Sequence, residues 1–369
     1  MSGLPLTDSD ETLEGLSTSE HEDVLVVRRA RSGLRAIIAV HSTLLGPSLG
    51  GARFYPYVDE AVALRDVLRL SRAMTKKAAL AGLSHGGGKT VIIGDPSLVK
   101  TPALLRDFAS AVNRLEGRYI TAEDVGTTLD DMDLIRETTP YVGGTSMSRG
   151  GSGDPSSATA LGVVVAMEAA SAHRWGDDLE GKTVCVVGAG KVGEEVIRLL
   201  VQRRAVVLAC DVDHDRAEGA LGTGAARIID PLHACGIKAD VLCPCALGGL
   251  LTEDVVPDLR VDIIVGAANN QLASAQVADS LAAAGILYVP DFLANAGGII
   301  NIAEEANGYD RARALKAVSQ IHDTTLTVLE RAEAQGVTPE AAAEELVARR
   351  LARARDDVDA SVESSSGLY

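Results

Sequence analysis

The chain has 369 residues, more than the ~250–300 at which a single core stops growing, so two domains are expected. Hydrophobic residues make up 46% and charged residues 23%, which excludes a disordered chain. The formal charge of −16 argues against nucleic acid as a partner, because an acidic surface repels a polyphosphate backbone.

Residues 1–20 read as an acidic flexible tail, with no basic and apolar regions of a secretory signal. The longest uncharged apolar runs, such as 161–167, are too short to span a bilayer. No membrane partner and a cytoplasmic location are therefore expected. The five cysteines, Cys185, Cys210, Cys235, Cys243 and Cys245, fit small buried hydrophobes in a reducing compartment. Cys243-Pro244-Cys245 has no histidine at a ligand-like spacing, so no metal is expected.

Runs 24–27 and 34–40 flank Arg31-Ser32-Gly33 as a β-hairpin. Gly46-Pro47 and Gly50-Gly51 punctuate a loop. A helical pattern then runs from an N-cap at Asp59 to Gly82. Its apolar stripe is Val67, Leu70, Met74 and Ala81. Lys77 lies about 20° from Leu70 on that stripe, whereas Lys76 points to the opposite, solvated face. Taken alone, such a lysine is more often a snorkelling stem than a functional group.

Gly86-Gly87-Gly88-Lys89 precedes the strand 90–93. A bare turn accounts for the glycines but not for a lysine entering an apolar strand. Burial beside a cation such as Lys77 would lower the pKa of Lys89 and make it a usable base. Asp124, at the end of the strand 118–122, is its candidate partner. The Gly/Ser-rich stretch 143–157 marks the domain switch.

Beyond it, a helix at 154–173 precedes strands at 183–187, 206–210, 240–245, 262–265 and 285–289, alternating with helical stretches. This rhythm predicts a parallel, doubly wound Rossmann sheet. Gly188-Ala189-Gly190-Lys191-Val192-Gly193 follows the first of these strands and opens a helix, as a dinucleotide-binding loop does. Asp211 ends the next strand, about twenty residues on. Its carboxylate would accept from both ribose hydroxyls and repel a 2′-phosphate, favouring NAD over NADP. The end of the chain, 311–355, reads as two long helices. The expected α/β architecture has an N-terminal substrate, catalytic and oligomerisation domain, 21–145, joined by C-terminal helices of about 335–369. A cleft separates it from a Rossmann NAD-binding domain, 146–334.

The run Leu83-Ser84-His85-Gly86-Gly87-Gly88-Lys89-Thr90-Val91-Ile92-Ile93-Gly94-Asp95-Pro96 resembles the active-site signature of the glutamate/leucine/phenylalanine/valine dehydrogenases. So do Gly46-Pro47-Ser48-Leu49-Gly50-Gly51, Thr121-Ala122-Glu123-Asp124-Val125-Gly126-Thr127, Pro244-Cys245-Ala246-Leu247-Gly248-Gly249, Gly266-Ala267-Ala268-Asn269-Asn270-Gln271 and Asn295-Ala296-Gly297-Gly298. The likeness spans about 41–349 and is nearest to the branched-chain members, valine and leucine dehydrogenase.

The resemblance implies that Lys77 holds the substrate carboxylate with Asn270 and the backbone near Gly50. It makes Lys89 the catalytic base and Asp124 its acid/base partner. It also places Thr159 on the nicotinamide amide, Ala246 and Asn269 at the cofactor, and Leu49, Ala122, Ile299 and Ile302 around the substrate side chain. A homo-oligomer built through the first domain is implied as well. Lys76 departs from a position that is often aromatic in the family.

The four apolar pocket residues argue against a glutamate side chain. Ala122 stands where phenylalanine enzymes tend to carry glycine. The expected reaction is therefore NAD-dependent, reversible deamination of valine and other branched-chain amino acids to 2-oxo acid and ammonia. Phenylalanine dehydrogenase and a catalytically inactive NAD-binding regulator are the alternatives. A 2-hydroxy-acid dehydrogenase would need a catalytic histidine, and only His85 of the seven lies in a motif.

Overall fold

The computed structural model describes residues 20–246 and 248–366. The acidic segment expected at 1–20 lies, apart from Glu20, outside the described residues. The chain divides into two compact units, one formed by residues up to 75 with 84–145, the other by 76–83 with residues from 146 onward.

In the first unit, β1 (Asp23–Arg29), β2 (Leu34–Ser42), β3 (Ser48–Tyr55), β4 (Gly86–Ile93) and β5 (Tyr119–Glu123) form a sheet of order β1-β2-β4-β3-β5. β1 and β2 are the expected hairpin, and its turn uses Gly33 at φ +79°. β2 pairs antiparallel with β4, while β3 lies parallel to both β4 and β5. Two expectations are corrected here. Residues 48–55 are a central strand rather than a loop, because the Ser48 N–H donates to the Arg118 carbonyl and glycines 50 and 51 let neighbouring backbone crowd in. The three glycines before Lys89, expected to precede the strand, likewise lie inside β4.

Alternation along β4 sends Val91 and Ile93 to one face, against Ala63 and Val67 of α1 (Glu60–Leu80). Ile92 goes to the other face, under α2 (Pro102–Asn113) and α3 (Leu129–Arg136), with Phe108, Met132 and Ile135. Asp59 caps α1 by accepting from the Val62 N–H at 2.7 Å. The deepest stripe of α1 is Ala63, Val67, Ser71, Thr75 and Ala78, smaller side chains than the expected stripe. The cause is Gly87. A β-carbon there would lie 2.1 Å from the Thr75 nitrogen, so strand and helix backbones nearly touch and only small residues fit.

In the second unit, β6 (Thr183–Val187), β7 (Val206–Cys210), β8 (Arg227–Ile228), β9 (Val241–Pro244), β10 (Ile263–Ile264) and β11 (Leu287–Tyr288) form a parallel sheet of order β11-β10-β9-β6-β7-β8. The strand order reverses between β6 and β9, and the crevice beyond the carboxyl ends of such strands is where open α/β sheets bind ligands. α4 (Ser156–Trp175), α5 (Lys191–Gln202), α6 (His214–Thr223), α7 (Gln276–Ala283) and α8 (Gly297–Ala303) complete this part. β8, only two residues long, escaped the sequence pattern.

The chain ends in three helices rather than two, α9 (Arg311–Ser319), α10 (Ile321–Gln335) and α11 (Pro339–Ser366). Asp310 caps the start of α9, Gln320 stands between α9 and α10, and Gly336 at φ +67° closes α10 ahead of α11. From α11, Arg350 donates to the carbonyls of Ala79 and Leu83 at 2.6 and 2.7 Å, satisfying the C-terminal end of α1. Lys76 is not merely solvated as expected, since it pairs with Glu344 of α11. Both contacts explain why 76–83 groups with the second unit. Among the described residues, no helix is long and apolar enough to cross a membrane, and no group of three His, Cys, Asp or Glu is placed to hold a metal.

Candidate active site

Lys89 on β4 forms an ion pair with Asp124, which directly follows β5. Those strands flank β3 on either side, so they stand about 9–10 Å apart, a gap only a long side chain crosses. The crossing is open because β3 is Gly50-Gly51 at this level. A β-carbon on Gly51 would lie 2.8 Å from that of Asp124 and 2.5 Å from the Glu123 carbonyl oxygen. Lys89 is 7% exposed.

Burial pushes the Asp124 carboxyl up, but the charges of Lys89 and Arg53 outweigh it and hold the group below its usual range. Arg53 Nε lies 3.5 Å from Asp124 Oδ2, and Arg53 Nη1 lies 3.1 Å from Asp66 Oδ2. The Asp124 backbone N–H donates to Thr127 Oγ1 at 2.9 Å, and the Thr127 hydroxyl donates to the Ala52 carbonyl at 3.0 Å, fixing the turn. Below, the buried Tyr119 hydroxyl donates to the Gly50 carbonyl at 2.6 Å and accepts from Thr90 Oγ1 at 3.0 Å, tying three strands together.

The register matches Leu49 with Gly87 and Gly51 with Ala122. With a period of two, Leu49, Ala122 and Lys89 therefore project from one face of the sheet. Both apolar residues are buried. Ile299 and Ile302 sit on α8 of the other unit, the first buried and the second partly so.

Lys77 donates to Asn269 Oδ1 at 3.1 Å, and the same oxygen accepts from Asn295 Nδ2 at 2.9 Å. The residue that meets Lys77 is thus Asn269, expected at the cofactor. Asn270 takes a left-handed conformation, φ +53°, and its carbonyl accepts from the Gly249 N–H at 2.7 Å. On α4, the Thr159 hydroxyl donates to the Pro155 carbonyl at 3.0 Å. It faces Gly298, where a β-carbon would be 2.8 Å from Thr159 Oγ1, so the Gly297-Gly298 pair lets α8 pack on the start of α4.

At the β6/β9 reversal, Gly188 adopts φ +105° and donates to the Cys210 carbonyl at 2.8 Å. Ala246 covers it, with its nitrogen 2.8 Å from the point a β-carbon on Gly188 would occupy. A β-carbon on Gly193 would lie 1.9 Å from the Gly188 carbonyl oxygen, so the third glycine is there for turn–helix packing. Gly190 caps α5, with Lys191 and Val192 in its first turn. Lys191 Nζ meets Asp154 Oδ2 at 2.8 Å along a groove of 410 Å³. Asp211 accepts from the Ala189 N–H at 2.8 Å and the Asp213 N–H at 2.9 Å, beside a second groove of 300 Å³ edged by Asp213 and Arg216. A bare glycine turn, a helix N-terminus and a carboxylate at the second strand fit a dinucleotide.

Arg53 and Tyr119 were missed in the sequence. Arg53 carries the same signal as Lys89, a cation inside an apolar strand, but its segment reads as a loop. Tyr119 has no such mark.

Residues 21–141 match the Glu/Leu/Phe/Val dehydrogenase dimerisation domain, and 150–221 with 218–358 match the Glutamate/Leucine/Phenylalanine/Valine dehydrogenase domain. The chain is 43% identical to leucine dehydrogenase of Bacillus cereus over 343 residues, 93% of this chain and 94% of that protein. It is 45% identical to valine dehydrogenase of Streptomyces coelicolor over 339 residues, 91% and 93% of the two. The crystal structure of L-tryptophan dehydrogenase from Nostoc punctiforme superposes with a TM-score of 0.80 at 40% identity, covering 93% of this chain and 99% of that one. The chain thus belongs to the glutamate/leucine/phenylalanine/valine dehydrogenase family, and it is an amino acid dehydrogenase, an oxidoreductase of CH–NH2 donors.

Proposed function

We propose that the protein reversibly deaminates a branched-chain L-amino acid, valine in preference, to the 2-oxo acid and ammonia with NAD as oxidant. The observation that carries this reading is the buried Lys89–Asp124 pair on the same sheet face as Leu49 and Ala122. In balance, amino acid, NAD and water give 2-oxo acid, ammonia, NADH and a proton.

When bound, the nicotinamide supplies the acceptor for the hydride of the substrate Cα. Lys77 binds the substrate carboxylate, and Asn269 and Asn295 hold that lysine in place. Lys89, as neutral amine, takes the proton of the water that adds to the Cα iminium. Asp124 accepts and returns protons with Lys89 as the carbinolamine collapses and ammonia leaves. Thr159, Ala246 and the loop from Gly188 to Gly193 hold the cofactor. Asp211 accepts from the ribose hydroxyls and disfavours a 2′-phosphate, which supports NAD. The first unit carries the proton chemistry, the second the cofactor, and the protein works in the cytoplasm as a homo-oligomer through its dimerisation domain.

Leu49, Ala122, Ile299 and Ile302 offer only methyl and methylene groups to the substrate side chain. The solved tryptophan dehydrogenase at 40% identity keeps an aromatic substrate as the second reading. Initial rates with valine, leucine, isoleucine, norvaline, phenylalanine, tryptophan and glutamate, each with NAD and NADP, test both. Valine with NAD should lead, with leucine within the ~10–200-fold that one methylene commands. An aromatic amino acid or glutamate as best substrate contradicts the pocket assignment. NADH binding with no turnover of any amino acid contradicts the enzyme reading itself.

A further inference from the structure

Asp124 faces two cations, not one. Lys89 reaches it from β4, and Arg53 reaches it from β3, with Nε 3.5 Å from the same Oδ2. Arg53 is itself anchored on its far side by Asp66 of α1 at 3.1 Å. Asp66 in turn accepts from the Tyr57 hydroxyl at 2.6 Å and from Arg69 at 2.9 Å. The buried Tyr119 also lies within electrostatic reach of Asp124. The result is a line of alternating charge, Lys89, Asp124, Arg53, Asp66, Arg69, running from the buried pair to the helix surface.

A buried lysine paired with one carboxylate is a poor base, since giving up its proton strands a negative charge in a dry site. With Arg53 on the same carboxylate the balance changes. Lys89, Asp124 and Arg53 together carry one positive charge while Lys89 is protonated and none once the proton has left. We infer that Arg53 is a positioning residue that neutralises Asp124 so that Lys89 can release its proton, with Asp66 setting how much of the guanidinium charge Asp124 receives. This inference rests on the proposed role of Lys89 as base.

The sign of the effect differs along the line, which a purely structural role would not produce. Removing the Arg53 charge leaves Asp124 to hold the proton on Lys89. Removing the Asp66 charge frees more of the guanidinium for Asp124 and loosens that proton. The test is the pH profile of kcat/KM at saturating NAD for Arg53→Gln, Arg53→Lys and Asp66→Asn, with NADH binding measured in each to establish folding. Arg53→Gln should move the acidic limb up by about one pH unit, recovering activity at high pH, and Arg53→Lys should restore the limb toward its original place. Asp66→Asn should move it down. If Arg53→Gln does not fold, the downward shift in Asp66→Asn still decides. A uniform loss at all pH values, or shifts of the same sign in both charge-removing variants, would overturn the inference. Lys89→Ala is assayed alongside. Full loss there with unmoved limbs elsewhere overturns the Arg53 assignment alone, whereas turnover there overturns the underlying reading.

Discussion

The β-carbon that Gly51 lacks would stand 2.8 Å from the β-carbon of Asp124. Gly51 belongs to the strand that Lys89 must cross to reach that carboxylate, so a missing methyl on β3 is a condition for an ion pair between groups on β4 and β5. Gly51→Ala should displace Asp124 and reduce kcat/KM by at least 100-fold, the scale of a lost acid/base partner, while NADH still binds. Activity within a few-fold of the parent would show that Asp124 does not need this clearance.

Lys77 is tethered to Asn269 at 3.1 Å. If Lys77 binds the substrate carboxylate, removing the tether loosens ground-state and transition-state binding alike. Asn269→Ala should therefore raise KM for the amino acid about 10-fold, equivalent to the ~1.5 kcal/mol of one charged hydrogen bond, with kcat little changed. An unchanged KM would separate Lys77 from substrate binding.

Glu340, near the start of α11, has its carboxyl raised above the ordinary carboxylate range in the fold. Burial is the main cause, Asp291 and Glu344 add to it, Lys76 opposes it, and the carboxyl is pushed up to about 7. Unfolded, the group ionises in the ordinary carboxylate range. Stability from this site is therefore full at low pH and falls as pH rises toward 7. Glu340→Gln should raise stability at pH 8 by about 1–3 kcal/mol and leave it nearly unchanged at pH 4.5, read by denaturant unfolding at both values. Equal stability of the two proteins at pH 8 would contradict the assignment.

Asp211 accepts from the backbone N–H groups of Ala189 and Asp213, which braces the glycine turn against the second strand. Asp211→Asn removes the charge and, with a single acceptor oxygen, keeps only one of these two backbone hydrogen bonds. It should raise KM for NAD and narrow the preference over NADP by roughly 10-fold or more. A preference that stays fixed in initial-rate comparisons would place cofactor discrimination elsewhere.

Much of this was legible in the sequence because strong local signals coincide with the elements. Strands 183–187 and 206–210 are short apolar runs bounded by turn residues, and they form as expected. Lys89 stood out because a cation in an apolar strand needs a partner. What stayed hidden depends on non-local contact. Ser48–Tyr55 is glycine-rich and reads as a loop, yet pairing on both edges makes it a central strand. Lys76 looks solvated on a helical wheel until α11, some 270 residues later, brings Glu344 to it. Arg53 disappeared with the strand that carries it.

The central claim is that the amine of Lys89 moves protons at the substrate carbon. Its most direct test is Lys89→Ala, with turnover of valine and NAD measured beside binding of NADH by fluorescence titration. Turnover should fall by at least 1,000-fold, within the range for a lost general base, while NADH affinity stays within a few-fold. Turnover within 10-fold of the parent at unchanged NADH affinity would contradict it.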